Sequence, residues 1–278
     1  MSYKTIILLI EREWRQEQFE VAFTLARDAQ AHLIGLHAVR PMTLPAYVLT
    51  EAGPAAEIFE TNQRAANTRL EGDARAAFES TAARFGHRTI EWRTARQDLL
   101  EAVALNARYA DLVIAAQSEP EKEWAGEGLQ LQQSLTLVAG RPVLFVPYAG
   151  RFPEVGKQVL VAWDASREAA RALSDSLPLL AGAKSVRVVV FNPGTAHGEV
   201  PGADVALYLA RHGIKVSTAS RVNKDVGIGE LILSEAADCG ADLLVMGAYG
   251  HSRIREIVLG GATRTLLDSM TLPVLMSH

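Results

Sequence analysis

Two stretches of this chain are copies of one another. Ala110-Asp111-Leu112-Val113-Ile114 returns as Ala241-Asp242-Leu243-Leu244-Val245, and Arg141-Pro142-Val143-Leu144 returns as Leu272-Pro273-Val274-Leu275. Both pairs lie about 131 residues apart, so the repeat keeps its phase. The earlier apolar runs 5–10 and 158–163 lie about 153 residues apart. The first copy therefore carries roughly 20 more residues, expected in the loop and long helix after its second strand. A chain of 278 residues built this way is bounded to two domains of ordinary size. Arg151-Phe152-Pro153-Glu154-Val155-Gly156 reads as the linker, giving units 1–150 and 151–278.

Within each copy, apolar runs alternate with helical stripes. Strands are expected at 5–10, 32–39, 89–93, 111–116 and 142–146, then at 158–163, 186–191, 214–216, 242–246 and 273–276. Helices are expected at 16–30, 57–85, 98–108 and 129–138, then at 166–180, 205–212, 229–239 and 262–270. Runs such as TIILLI and DLVIAA are continuously apolar after their first residue, as a parallel strand buried on both faces requires. The fold class is α/β: two tandem doubly wound units, each a five-stranded parallel sheet with helices on both faces.

Ligands of such sheets bind past the carboxyl ends of the strands, where strand order reverses. One stretch of the second unit ends there: Met246-Gly247-Ala248-Tyr249-Gly250-His251, continuing to Gly260-Gly261-Ala262-Thr263. A buried strand leads in and a helix leads out. Backbone N–H groups at a helix start attract anions, and glycines let a phosphate approach the backbone. The stretch reads as a phosphate cradle, or as a loop with turn glycines. Asp164, just past the first strand of the same unit, faces the same crevice if the two strands are neighbours. Asp164 and Ser166 also read as caps of the next helix. His251, Arg253 and Arg255 read either as phosphate partners or as a solvated loop.

Net charge is −4, so no basic face is advertised to nucleic acid or an anionic membrane. The single cysteine, Cys239, excludes an internal disulfide and reads as a small buried filler. The run at 5–10 is cut off by Glu11, too short for a membrane span, and the expected location is cytoplasmic. No His, Cys or carboxylate spacing reads as a metal site.

Taken together these residues resemble the universal stress protein family, in its tandem two-domain form. The carriers are Val159-Leu160-Val161-Ala162-Trp163-Asp164-Ala165-Ser166, Ala241-Asp242-Leu243-Leu244-Val245-Met246-Gly247, the spacing of Gly247, Gly250 and Gly260, and Pro273-Val274-Leu275. The resemblance implies an adenine nucleotide alpha-hydrolase-like fold. In the nucleotide-binding branch, the third glycine is followed by Ser or Thr; here Gly261 stands instead. Carried over, Asp164 would contact ribose or adenine, and Ala162 and Val190 would line the adenine pocket. Gly247, Gly250, His251, Gly260, Gly261, Ala262 and Thr263 would surround the triphosphate of ATP, with or without Mg2+, and Met246 is expected among the nucleotide-binding residues. The missing hydroxyl at 261 should cost about 1 kcal/mol, roughly fivefold in affinity.

The first copy has Glu11 or its neighbours where Asp164 stands, and Ala116-Gln117-Ser118-Glu119 where Gly247 and Gly250 stand. Glu119, Glu121 and Glu123 would repel a phosphate, so this unit is expected to bind no nucleotide and to serve structure or protein partners. In the family, domains pair through their last strands. Segments 142–146 and 273–276 are accordingly expected to pair edge to edge as an intrachain pseudo-dimer, with homodimerisation left open. Three functions follow: a stress-response regulator that binds ATP in its C-terminal unit, a non-nucleotide interaction scaffold, or a slow ATPase. No P-loop lysine is present, and Asp164 and His251 are the only groups able to position a water.

Overall fold

The computed structural model describes residues 2–12, 14–38, 54–119, 125–194, 200–249 and 261–278. The first unit runs β1 (Thr5–Ile10), α1 (Gln16–Ala29), β2 (His32–Ala38), α2 (Pro54–Phe85), β3 (Ile90–Ala95), α3 (Leu99–Ala107), β4 (Leu112–Ala116), α4 (Ala125–Val138) and β5 (Val143–Val146). The second runs β6 (Gln158–Ala162), α5 (Arg167–Leu180), β7 (Ser185–Phe191), α6 (Ala203–Arg211), β8 (Val216–Arg221), α7 (Ile228–Asp238), β9 (Leu243–Gly247), α8 (Ala262–Ser269) and β10 (Val274–Ser277). The extra length of the first copy sits in α2, whose 32 residues answer the 9 of α6.

One expectation is corrected. The third strand of the second unit lies at Val216–Arg221, not at 214–216. It is an edge strand of Ser, Thr and Arg, mostly exposed, so hydrophobicity did not mark it.

All ten strands form one sheet, in the order β3-β2-β1-β4-β5-β10-β9-β6-β7-β8. Every neighbouring pair is parallel except β5 and β10, which run antiparallel at the middle. There Leu144 faces Leu275, its own counterpart in the repeat, flanked by Val274 opposite Phe145 and Met276 opposite Val143. The junction therefore has the self-complementary form of a two-fold interface, within a single chain.

Alternation along the strands sends side chains to two apolar layers, each running through both units. One holds Ile6, Leu8, Leu144, Leu275, Val161 and Val188 beneath α1, α2, α5 and α6. The other holds Ile7, Leu9, Phe145, Val274, Leu160 and Val189 beneath α3, α4, α7 and α8.

The repeated Asp has a structural task. Asp111 accepts from the backbone N–H groups of Lys4 and Thr5, at 2.6 and 3.0 Å. Asp242 accepts from those of Gly156, Lys157 and Gln158, at 2.8 to 3.0 Å. Each carboxylate thus pins the entry to the first strand of its unit, supplying acceptors that the sheet does not.

Leu275 is fully buried at the junction. Leu275→Ala should cost about 2–5 kcal/mol through lost contact and a residual cavity. Urea unfolding followed by circular dichroism should show a lowered midpoint for the whole chain, because both layers cross the junction.

Candidate functional site

In the second unit the strand order reverses between β6 and β9. These strands are neighbours, with Ala162 opposite Met246 on the last shared rung. The chain leaves β6 toward α5 on one face and leaves β9 toward α8 on the other. The divergence opens a crevice at their carboxyl ends.

Local chemistry fixes the β6 side. Trp163 donates its N–H to the Val189 carbonyl at 2.9 Å, and Ala165 then turns with φ of 60°. Asp164 Oδ1 accepts from the Ser166 N–H at 3.0 Å and its hydroxyl at 2.6 Å. Ser166 Oγ in turn accepts the Ala169 N–H at 3.1 Å, making Ser166 the N-cap of α5. Of the two cap candidates, Ser166 is the cap. Asp164 stands one step behind it, exposed at the rim of the crevice.

The β9 side is set by a close approach. A methyl group built on Gly247 would lie 2.4 Å from the backbone nitrogen of Ala169 and 2.9 Å from Glu168 Cβ. Gly247 is therefore required by the packing of β9 onto the first turn of α5, whatever it also does for a ligand. Beyond it, Ala248 donates its N–H to the Ser277 carbonyl at 2.9 Å, and its own carbonyl meets His278 Nδ1 at 3.0 Å. Tyr249 adopts φ of 61° and donates its N–H to Thr263 Oγ1 at 3.4 Å. This last contact ties the end of β9 to the first turn of α8.

Helix α8 begins at Gly261, whose φ of −57° and ψ of 164° make it the N-cap. Its carbonyl accepts the N–H groups of Arg264 and Thr265. The N–H groups ahead of those have no partner within a helix, which is where the positive end of the helix dipole lies. Glycine offers no side chain to satisfy them.

The expected residues separate as follows. Ala162, half-buried, and Met246 belong to the layer beneath α7 and α8, and form the floor of the crevice. Val190 is a correction. It lies at the end of β7 but is fully buried on the opposite face, against Gly202 at the start of α6. Strand alternation puts its side chain across the sheet from Ala162, so it cannot line the same pocket. Thr263 is buried and its oxygen accepts from Tyr249, which leaves its hydroxyl hydrogen to donate to an anionic ligand. Gly250, His251 and Gly260, with Arg253 and Arg255, lie outside the described residues.

The first unit differs in backbone as well as in residue type. Helix α4 starts at Ala125, about six residues earlier in the repeat than α8. The positions answering Gly261, Ala262 and Thr263 are Gln130, Leu131 and Gln132, which lie inside α4. Their N–H groups are consumed by intrahelical bonds. Ser118 packs directly against Gly128 of the helix, and Gln132 Nε2 donates to the Ala116 carbonyl at 3.1 Å. Glu119 is held by Arg15 at 2.9 Å. Among the described residues, Ser118 and Gln132 occupy the end of β4, and the N–H groups answering those at the start of α8 belong to the helix; Glu121 and Glu123 lie outside the described residues.

Two residues were missed in the sequence: His278 holds the Ala248 carbonyl, and the buried Gln117 reaches into the other unit; Gly247 was singled out, but for a phosphate and not for packing. Single residues at these places carry no periodic signal. Cys239, half-buried at the end of α7, keeps its thiol protonated because burial raises its pKa, as its reading as a filler implies.

Gly247→Ala should destabilise the fold by about 1–3 kcal/mol, since strand and helix must part to admit a methyl group. Thermal unfolding of the ligand-free protein measures this. An unchanged Tm would mean that α5 yields without cost.

Comparison with known proteins adds three findings. A model of the universal stress protein family matches residues 156–278. A universal stress protein of Synechocystis is 48% identical over 46 residues, a match that spans only 16% of either chain. Among solved structures, a universal stress protein from Archaeoglobus fulgidus superimposes with a TM-score of 0.69 at 14% identity, over 98% of this chain and 95% of that one. A protein of unknown function from Pseudomonas aeruginosa gives 0.60 at 18% identity, over 99% and 92%. At such identities the structural likeness speaks to the fold, which both share across the two units.

Proposed function

We propose that this chain, whose residues 156–278 match a model of the universal stress protein family, binds an adenine nucleotide, ATP, in its C-terminal unit as a regulatory ligand. The observation that carries the reading is the convergence at the β6–β9 switch point. Asp164 lies on one rim, the open start of α8 on the other, and the Tyr249–Thr263 contact closes the distance between β9 and that helix. An anion there would meet N–H groups that have no partner within the helix and the positive end of its dipole. Met246 and Ala162 supply an apolar floor for a base. The N-terminal unit serves as a partner without nucleotide, its helix start having moved away from the crevice.

The competing reading is an interaction scaffold that binds no nucleotide. The packing role of Gly247 favours it, because the first glycine of the motif has a sufficient cause without any ligand. Titration calorimetry with MgATP separates the two. The nucleotide reading expects binding tighter than millimolar, or ATP released on denaturing the purified protein. Absence of both leaves the scaffold.

Two variants sharpen the test. Gly261→Ser restores the hydroxyl at a backbone φ that serine accepts, and should tighten MgATP about fivefold by one added hydrogen bond. Asp164→Ala should weaken it by a similar factor while leaving the Ser166 cap of α5 in place. No change in either affinity would remove these residues from the site.

A further inference from the structure

The first unit has Gln117 where the second has Ala248. Both residues make the same backbone bond to the last strand of their own unit, Gln117 to Val146 and Ala248 to Ser277. Only Gln117 carries a polar side chain, and it crosses between units. Its Nε2 donates to the carbonyls of Leu267 at 2.9 Å and Asp268 at 3.0 Å. Its Oε1 accepts the N–H of Tyr148, just past β5, at 3.2 Å. Gln117 is 4% exposed, so these bonds are shielded from water.

Leu267 and Asp268 belong to the last turn of α8, the helix whose first turn forms the candidate anion site. The last carbonyls of a helix lack internal partners, and donors placed there offset the negative end of its dipole. With eight residues, α8 is only about 12 Å long. It is too short to absorb a displacement by bending, and what fixes one end fixes the other. It also packs against α4 of the first unit.

We propose that Gln117 is a positioning residue for the nucleotide site of the other unit. It sets the axial position of α8, and thereby where the N–H groups after Gly261 point. The N-terminal unit, having lost its own cradle, holds its partner's cradle in place. The inference rests on the nucleotide reading above. It adds that occupancy of the C-terminal site is felt at Tyr148 in the N-terminal unit. If the Gln117 bonds favour ligand, the ligand must favour the Gln117 bonds by the same factor, because binding linkage is reciprocal.

The test uses the full chain with MgATP. Gln117→Leu removes the amide at nearly constant volume and should weaken MgATP about fivefold, the lower range for coupled sites. Arg171→Gln is the control. It removes another bond between the units, from Arg171 to the Gly140 carbonyl at 2.9 Å, at the end of α4 rather than α8. Its affinity should stay within about twofold of wild type, well below the coupling expected of Gln117. Equal weakening by both variants would mean general loosening between the units and would overturn the proposal.

The second readout is hydrogen exchange at the Tyr148 amide, followed by NMR in the unaltered protein. Saturating MgATP should slow it about fivefold, by reciprocity. This measurement decides alone if Gln117→Leu does not fold. Wild-type binding with unchanged Tyr148 exchange and undiminished affinity in Gln117→Leu would overturn the inference while leaving the site intact. No binding by wild type would overturn the site itself.

Discussion

Everything in this molecule depends on three antiparallel rungs between β5 and β10. Each unit alone would end in a short strand of fully buried residues with one side unpaired. Such an edge is a template for association. Pairing the two edges satisfies their backbone groups and joins two sheets into one. It also makes both apolar layers continuous, since Leu144 and Leu275 lie in one and Phe145 and Val274 in the other. The contacts between units, Gln117 to α8, Arg171 to Gly140 and the Tyr3 hydroxyl to the Asp175 carbonyl, lie around this seam and rely on its register.

Much of the fold was legible because it is written in periodicity. Strands such as Thr5–Ile10 and Leu243–Gly247 are apolar almost throughout, and the repeat fixed how they correspond. The edge strand Val216–Arg221 was misplaced for the converse reason: solvent covers much of it, so no apolar run marks it. The site was legible as a place, since topology alone puts a crevice at a switch point. Its finer geometry was not. Val190 could be put at a strand end, but its face depends on register, and one residue of alternation sends it across the sheet. Gly247 looked like a phosphate glycine, yet the contact that forbids a side chain comes from Ala169, some 80 residues away in sequence and invisible to any local pattern.

The two units also keep one fold while differing at the crevice. The strands keep their register, with Val113 opposite Val143 in one unit and Leu244 opposite Val274 in the other. What moved is the point where a helix begins. Extending α4 backward converts orphan N–H groups into ordinary helical bonds, and glutamines occupy the space and the polar roles that remain. A change of helix start thus turns N–H groups that an anion could meet into ordinary helical donors, while the strands beneath keep their pairing.

Joining the units in one chain has a further consequence, for concentration. A seam of three rungs between separate protomers would open on dilution, and any residue reaching across it would let go. Tethered by the segment after β5, the two halves meet at an effective concentration on the order of millimolar for a short linker, however scarce the protein is. The bonds of Gln117 from one half to α8 of the other can then persist at every level of expression, independent of abundance.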